Sequence, residues 1–457
     1  MLLKVINPAT QELVAELEEP SAEEVLEIVA RARVAQKGWA ARPMKERLSI
    51  LSTFREKVSA EVDGLARVLS TDTGKPLAQA RNEINGALGR LDFFIEEVAA
   101  TVATQTVFEA ADGSMVEKIS HESLGVIANI SAWNYPWLVG VNVFAPALLT
   151  GNAVAYKPSE YAALTGLAIG RLLHASGVPE DVFAVLVGAA EVGRALLEAE
   201  IDGVFFTGSY PTGRAINEAV APKLIKVQLE LGGKDPVYVC EDVDVAAAAA
   251  GLADGAFYNT GQSCCSVERI YVHHSIYDAF VERFVETVRG FQVGGPFEEG
   301  AYIGPLTRAP QLDVLDAQVK DAKDKGGTIQ CGGHRLDSAG YFYAPTVVSD
   351  VDHSMDLMKE ESFGPLIGIM SVEGDEQAVA LMNDTAYGLT SSVYTRDRSR
   401  AEAMLARLDS GSAYWNCCDR VSPRLPWSGR GHSGIGLTLS TYGITTFTQP
   451  KGWHLRS

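Results

Sequence analysis

Apolar positions recur at helical spacing along the first hundred residues. Val25, Ile28, Val29 and Val34 follow Ser21-Ala22-Glu23-Glu24, a run that reads as a capping box opening a helix. Two further long helical patterns cover about residues 43–70 and 76–104. From Gly125 the texture changes to short β-branched runs separated by helical stretches. The runs are Val126–Ser131, Ala153–Lys157, Val182–Val187, Val204–Thr207 and Ile225–Leu229. A second series follows at Pro236–Cys240, Arg269–Val272, Thr346–Val348, Leu366–Met370 and Ser391–Tyr394. Such alternation predicts parallel sheets built from βαβ units. Two α/β units joined near Gly232-Gly233 is the economical reading. The tail Thr445–Leu455 alternates and contains Pro450, like an edge strand that another subunit could pair with.

Composition narrows the classes. The 457 residues exceed one simple core, and 47% hydrophobic with 21% charged residues is ordinary for a globular protein. A formal net charge of −19, with no basic run, argues against a nucleic-acid partner. The longest apolar candidate for a membrane span, Trp137 to Thr150, is interrupted by Asn142 and Pro146. The N-terminal stretch MLLKVINPATQELVAELEEP has no apolar leader core. Six cysteines without CxxC spacing, and no HExxH pair, predict neither a disulfide scaffold nor a metal site. A reducing, cytoplasmic setting is the expectation.

Several strand ends carry chemistry. Cys264 sits among glycine and small polar residues in Asn259-Thr260-Gly261-Gln262-Ser263-Cys264-Cys265, a setting for a partly exposed nucleophilic thiol. Taken alone it could equally be a small buried hydrophobe. Glu230 ends an alternating strand and is followed by Leu231-Gly232-Gly233-Lys234. A carboxyl there is either a solvated strand end or, if buried, a general base with a raised pKa. Phe206-Thr207-Gly208-Ser209-Tyr210-Pro211-Thr212-Gly213 runs from a strand into a helix whose N–H groups could meet a phosphate. Lys157-Pro158-Ser159-Glu160 offers an ammonium and a carboxylate to ribose hydroxyls. Asn134, in Ser131-Ala132-Trp133-Asn134-Tyr135-Pro136, is either an oxyanion donor or a plain turn cap.

Together these segments resemble the NAD(P)-dependent aldehyde dehydrogenase superfamily. The resemblance runs from Asn7-Pro8-Ala9-Thr10 to the end and includes Glu361-Ser362-Phe363-Gly364-Pro365 and Pro426-Trp427-Ser428-Gly429. Seven segments in the family's order, with Glu230 and Cys264 34 residues apart, make it specific. It implies an α/β protein with a Rossmann-like cofactor domain over residues 1–104 and 122–232, and a catalytic domain over 233–430. A small β element from 105–121 and 431–457 would bridge subunits of a homodimer or homotetramer.

The same resemblance implies that Cys264 attacks the aldehyde and that Asn134 and the Cys264 N–H hold the oxyanion. Glu230 would activate the water that hydrolyses the thioester, so the product is a free acid. Ser131, Trp133, Lys157, Ser159, Glu160, Gly208, Ser209, Gly213, Leu231, Glu361 and Phe363 would contact the cofactor. A carboxylate at Glu160 repels a 2′-phosphate, so NAD is expected over NADP, which stays possible.

Tyr135, Leu138, Val139, Asn142, Tyr258, Ser263, Cys265 and Trp427 match the family's aldehyde tunnel. Asn142 weakens any aromatic cage for a cationic aldehyde, and Arg420 or Arg424 could hold the carboxylate of a semialdehyde. Two departures stand out. Val143 replaces a Lys, and Gly436-Leu437-Thr438 replaces Gly-Arg-Glu, so the proton exit seen in other members lacks both charges here. The alternative readings are a catalytically silent binding or structural protein on the same fold, or a broad detoxifier of aliphatic and aromatic aldehydes.

Overall fold

A computed structural model describes residues 2–457. The capping box forms: the Glu24 N–H donates to Ser21 Oγ at 3.2 Å and the Ser21 N–H to Glu24 Oε2 at 2.7 Å, opening the helix Ala22–Ala40. The pattern expected over 43–70 divides into Met44–Ala60 and Val62–Thr73. The step falls at Glu61 (φ −110°), whose carboxylate is drawn to Arg171 at 2.6 Å. Leu77–Thr101 is continuous and turns Ala80, Ile84, Ala87, Leu91, Phe94 and Val98 to the core. On that same face lie Gln79, Glu83 and Arg90, all buried. Phe54, Phe144, Tyr156 and Phe183 interlock between these helices and the first sheet, with centroids 5.3–6.1 Å apart. Each such fully buried ring contributes about 1.5–3 kcal/mol.

The first sheet runs, in space, Gly434–Ile435, Lys226–Glu230, Gly203–Thr207, Val126–Ile130, Ala153–Lys157, Phe183–Val185. The last five strands are parallel and every residue of Val126–Ile130 and Ala153–Lys157 is buried, as expected of strands covered on both faces. Numbered along the chain, the order of these five is 5-4-1-2-3, the doubly wound arrangement. Its topological switch point lies between Val126–Ile130 and Gly203–Thr207, where such sheets open a ligand crevice at their carboxyl ends. The sixth position is taken by a two-residue antiparallel strand, Gly434–Ile435, paired to Glu230 and Leu229.

A turn of four residues, Leu231 to Lys234, leads into the second sheet. Its order is Thr328–Cys331, Thr346–Ser349, Leu366–Val372, Val267–His273, Asp235–Val239, Thr390–Tyr394, Ser412–Trp415, with only the first strand antiparallel. The edge strands Thr328–Cys331 and Ser412–Trp415 escaped the sequence reading, because four residues each show too little alternation.

A third sheet joins Thr448–Arg456, Met115–Ser123 and Gln105–Glu109 in that order, all antiparallel. Thr448–Arg456 is an edge, and Pro450 is tolerated in it opposite His121. Of residues 431–457 only this strand enters the third sheet. Leu439, Ile444 and Phe447 pack into the core under the first sheet.

Candidate active site

The carboxyl ends of the first sheet converge on one cleft. Asn134 follows Val126–Ile130, Lys157 ends Ala153–Lys157, Gly208 and Ser209 follow Gly203–Thr207, and Glu230 ends Lys226–Glu230. Cys264 comes from the other unit, between the helix Val245–Phe257 and the strand Val267–His273. Three successive residues in the left-handed region deliver it: Asn259 (φ 54°), Thr260 (φ 60°) and Gly261 (φ 69°). Holding non-glycine residues there costs free energy, which the surroundings offset. The Asn259 N–H donates to Gln79 Oε1 at 3.0 Å, and Thr260 Oγ1 accepts from the Gly304 N–H at 3.0 Å. The Thr307 N–H donates to Gln262 Oε1 at 2.9 Å. A Cβ on Gly261 would meet the Gly364 carbonyl at 2.2 Å, so only glycine fits.

Asn134 is buried and clamped from both sides. Its carbonyl accepts from Lys75 Nζ at 2.7 Å and Asn259 Nδ2 at 3.2 Å, while its own Nδ2 donates to the Gln262 carbonyl at 3.2 Å. Lys75 is itself paired with Glu83, and both side chains are fully buried. The other oxygen of Glu83 takes the Trp137 N–H at 2.9 Å. This buried pair therefore holds both ends of the Asn134–Trp137 turn, and Lys75 Nζ lies 3.8 Å from the Tyr135 ring centroid. The Cys264 N–H has no acceptor among the described residues, so it is free for an oxyanion.

Glu230 is buried, and its Oε1 accepts from Trp427 Nε1. Burial raises its carboxyl to about 8; the Trp427 hydrogen bond and the Arg90 charge oppose this, and Asp235 adds to it. The Cys264 thiol is half-buried and pushed well above its ordinary range by its contact with Cys265, by burial and by Glu230. The resting thiol is thus protonated, and so is most of the Glu230 carboxyl at neutral pH.

The cleft in front of Cys264 has a volume of about 910 Å³ and does not include Glu230 in its lining; it is at the upper end of the roughly 300–1,000 Å³ of cofactor sites. Cys264 and Asn134 line it together with Ser131, Trp133, Lys157, Ser159, Glu160, Gly208, Ser209, Leu231, Glu361 and Phe363. Lys157 Nζ stands 4.0 Å from Glu160, whose Oε2 also accepts from Ser159 Oγ at 3.3 Å. Ser209 precedes the helix Tyr210–Val220 and its side chain makes no cap, which leaves the first N–H groups facing the cleft. Gly213 lies under this wall, and a Cβ on it would strike Leu231 at 2.4 Å. Glu361 Oε1 accepts from the Gly233 N–H at 2.9 Å, and burial raises its carboxyl to about 8. The Lys234–Glu268 pair supports that loop: Glu268 accepts from the Ser362 and Phe363 N–H groups at 2.8 and 3.0 Å, and Phe363 sits at φ 45°.

The remaining pocket candidates divide by exposure. Leu138 and Cys264 pack against the same core cluster as Cys265 and Trp427, and Ser263 Oγ is 3.5 Å from Cys265 Sγ. The Tyr258 hydroxyl accepts from Asn82 Nδ2 at 3.1 Å, and Asn142 Oδ1 from Arg90 at 2.8 Å. Arg420, 69% exposed, lies 3.8 Å from Asp419, and Arg424 is exposed. Val143 and Thr438 are both buried, and Thr438 Oγ1 has no partner. Sequence reading missed Lys75, Gln79, Glu83 and Arg90. For Gln79, Glu83 and Arg90 the available signal was their place on the apolar stripe of the helix Leu77–Thr101, where a polar residue needs an internal partner; Lys75, in the turn before that helix, had no such signal.

Comparison with known proteins agrees with this geometry. Residues 1–452 match the Aldehyde dehydrogenase family. The chain is 37% identical over 460 residues to the 3,6-anhydro-alpha-L-galactose dehydrogenase of Streptomyces coelicolor, covering 99% of this chain and 93% of that one. It is 34% identical over 447 residues to the succinate-semialdehyde dehydrogenase [NADP(+)] of Deinococcus radiodurans, covering 98% and 93%. Among solved structures, the betaine aldehyde dehydrogenase of Staphylococcus aureus in complex with NAD+ superposes with a TM-score of 0.96. That pair shares 29% identity over 100% of this chain and 92% of the other. The chain belongs to the aldehyde dehydrogenase family. It is an oxidoreductase that oxidises an aldehyde with a nicotinamide dinucleotide.

Proposed function

We propose that this enzyme converts its aldehyde to the free carboxylic acid with NAD, using Cys264, Asn134 and Glu230. The cleft fits the cofactor: a helix N-terminus for the pyrophosphate, Lys157 and Glu160 for one ribose, and Glu361 for the other. When bound, the dinucleotide accepts the hydride. The ionised fraction of Glu230 takes the Cys264 proton and releases it to solvent, and the thiolate adds to the carbonyl carbon. The Asn134 amide and Cys264 N–H hold the resulting oxyanion. Loss of hydride leaves a thioester on Cys264, and Glu230 deprotonates the water that cleaves it, freeing the acid and the thiol.

The observation that carries this reading is that Cys264 and Asn134 line the same cleft as Lys157, Glu160 and Glu361. Its walls come from the segment Ile130 to Gly232 on one side and from Cys264, Arg308 to Val314, Glu360 to Phe363 and Tyr387 on the other. Glu160 favours NAD by repelling a 2′-phosphate, although the Deinococcus radiodurans relative is named for NADP(+). The open edge of Thr448–Arg456, with Trp453 and Leu455 exposed, suits pairing with a second copy. Six free thiols suit a reducing compartment.

The test is the initial rate of NADH and NADPH formation over short aliphatic, aromatic, amino and carboxylated aldehydes, with Cys264→Ala as control. Activity with NAD that disappears in the control supports the reading. Folded, reduced protein that reduces neither cofactor with any aldehyde would sink it.

A further inference from the structure

We infer that Arg90 forms an anion-binding subsite beside the reacting thiol, and that the physiological aldehyde carries a carboxylate. This deepens the proposed function and rests on it. Arg90 projects from the helix Leu77–Thr101 and is 7% exposed. Its Nη1 donates to the Leu138 carbonyl at 3.0 Å and to Asn142 Oδ1 at 2.8 Å. Both acceptors belong to the helix Pro136–Leu149, so one corner of the guanidinium is fixed.

The opposite edge is free. Nε and Nη2 have no acceptor among the described residues. Neither is completely sealed, unlike the Arg33 and Arg308 Nε atoms. Nε and Nη2 are the two donors that take both oxygens of a carboxylate side by side, the arrangement seen between Arg55 and Asp92 at 2.8 and 3.0 Å.

No internal counter-ion satisfies this charge. Among the described residues no carboxylate lies within 4.0 Å of Arg90. Glu83, the nearest fully buried acid on its own helix, is engaged by Lys75 and the Trp137 N–H. Leu138, whose carbonyl Arg90 holds, packs against the same apolar cluster as Cys264, the cluster that contains Cys265 and Trp427. The groups that act on the Arg90 charge through space are Cys265, Glu83, Glu230 and Cys264. Burial lowers the guanidinium only to about 10, so it stays charged at neutral pH. A buried cation without a partner is unfavourable, and an anionic substrate group would remove that penalty on binding. Exposed Arg420 and Arg424 carry no comparable penalty, so Arg90 replaces them as the carboxylate anchor.

The test compares kcat/KM for aldehydes bearing a terminal carboxylate with that for their methyl esters. It uses the wild type, Arg90→Lys and Arg90→Gln. Wild type should favour the carboxylate by about tenfold or more, a ratio that Arg90→Gln abolishes and Arg90→Lys partly restores. An independent arm needs no variant: glutarate should compete with a neutral aldehyde in the wild type, and its dimethyl ester should not. Equal use of acid and ester by the wild type overturns the subsite, as does a preference for a neutral polyhydroxylated aldehyde. So does an absence of glutarate competition. All three leave the dehydrogenase reading standing. Failure of every aldehyde to reduce NAD or NADP refutes the dehydrogenase reading itself.

Discussion

Replacing Trp427 by Phe removes the one side-chain hydrogen bond on the proposed general base among the described residues. The Trp427 indole N–H is the only protein donor on Glu230 among the described residues. With the carboxyl at about 8, a tenth of it is ionised at pH 7 and nine-tenths at pH 9, so thioester hydrolysis should rise about tenfold across that interval. A hydrogen bond to a charged acceptor is worth about 1.5–3 kcal/mol. Part of it survives when the carboxyl is protonated, because the indole can still donate to the carbonyl oxygen. The difference between the two forms is therefore about 1–2 kcal/mol, or about one pKa unit. Phe keeps the ring inside the cluster that also contains Cys265 and Leu439, so the fold should persist. The assay is the pH profile of single-turnover acid release in wild type and Trp427→Phe, with thermal melts to verify folding. The midpoint should move upward from about 8 by about one unit. A midpoint that stays put or falls in the folded variant would refute the assignment, as would a flat wild-type profile between pH 7 and 9.

Other substitutions probe the scaffold. Lys75→Met leaves Glu83 buried without its partner and should destabilise the protein by about 3–5 kcal/mol in denaturant titration. A loss below about 1 kcal/mol would contradict the enclosed pair. Gly232→Ala would place a Cβ 2.6 Å from both Glu361 carboxylate oxygens and displace them, so the KM for NAD should rise several-fold. An unchanged KM would remove Glu361 from the cofactor site. Stability should also depend on pH: burial raises Asp72 to about 7 and Asp235 to about 8. Between the ordinary carboxylate range and those values the folded chain retains protons that the unfolded chain has released. Stability is therefore greatest at the acid end of that window and declines toward pH 8. A melting temperature that climbs from pH 5 to 8 would count against it.

Alternation and helical spacing are local properties, and they were legible. They located the strands that became Val126–Ile130, Ala153–Lys157 and Asp235–Val239, the capped helix at Ser21, and the break between the two sheets near Gly232. Motif order then pointed to Cys264, Glu230 and Asn134 and to the family. Two-residue strands carry no period, so nothing in the sequence showed that Gly434–Ile435 would complete the first sheet beside Glu230. Nor could spacing show that Lys75 would hold the carbonyl of Asn134, 59 residues away, or that Arg90 would be buried with one edge free. The raised carboxyl of Glu230 and thiol of Cys264 belong to the same class of fact. Sequence alone decided which segments fold as helix or strand and which residue types reach the strand ends, because each depends on near neighbours. Burial, charge environment and hydrogen-bond partners were decided only in three dimensions, because they arise where residues distant in the chain displace water from one another.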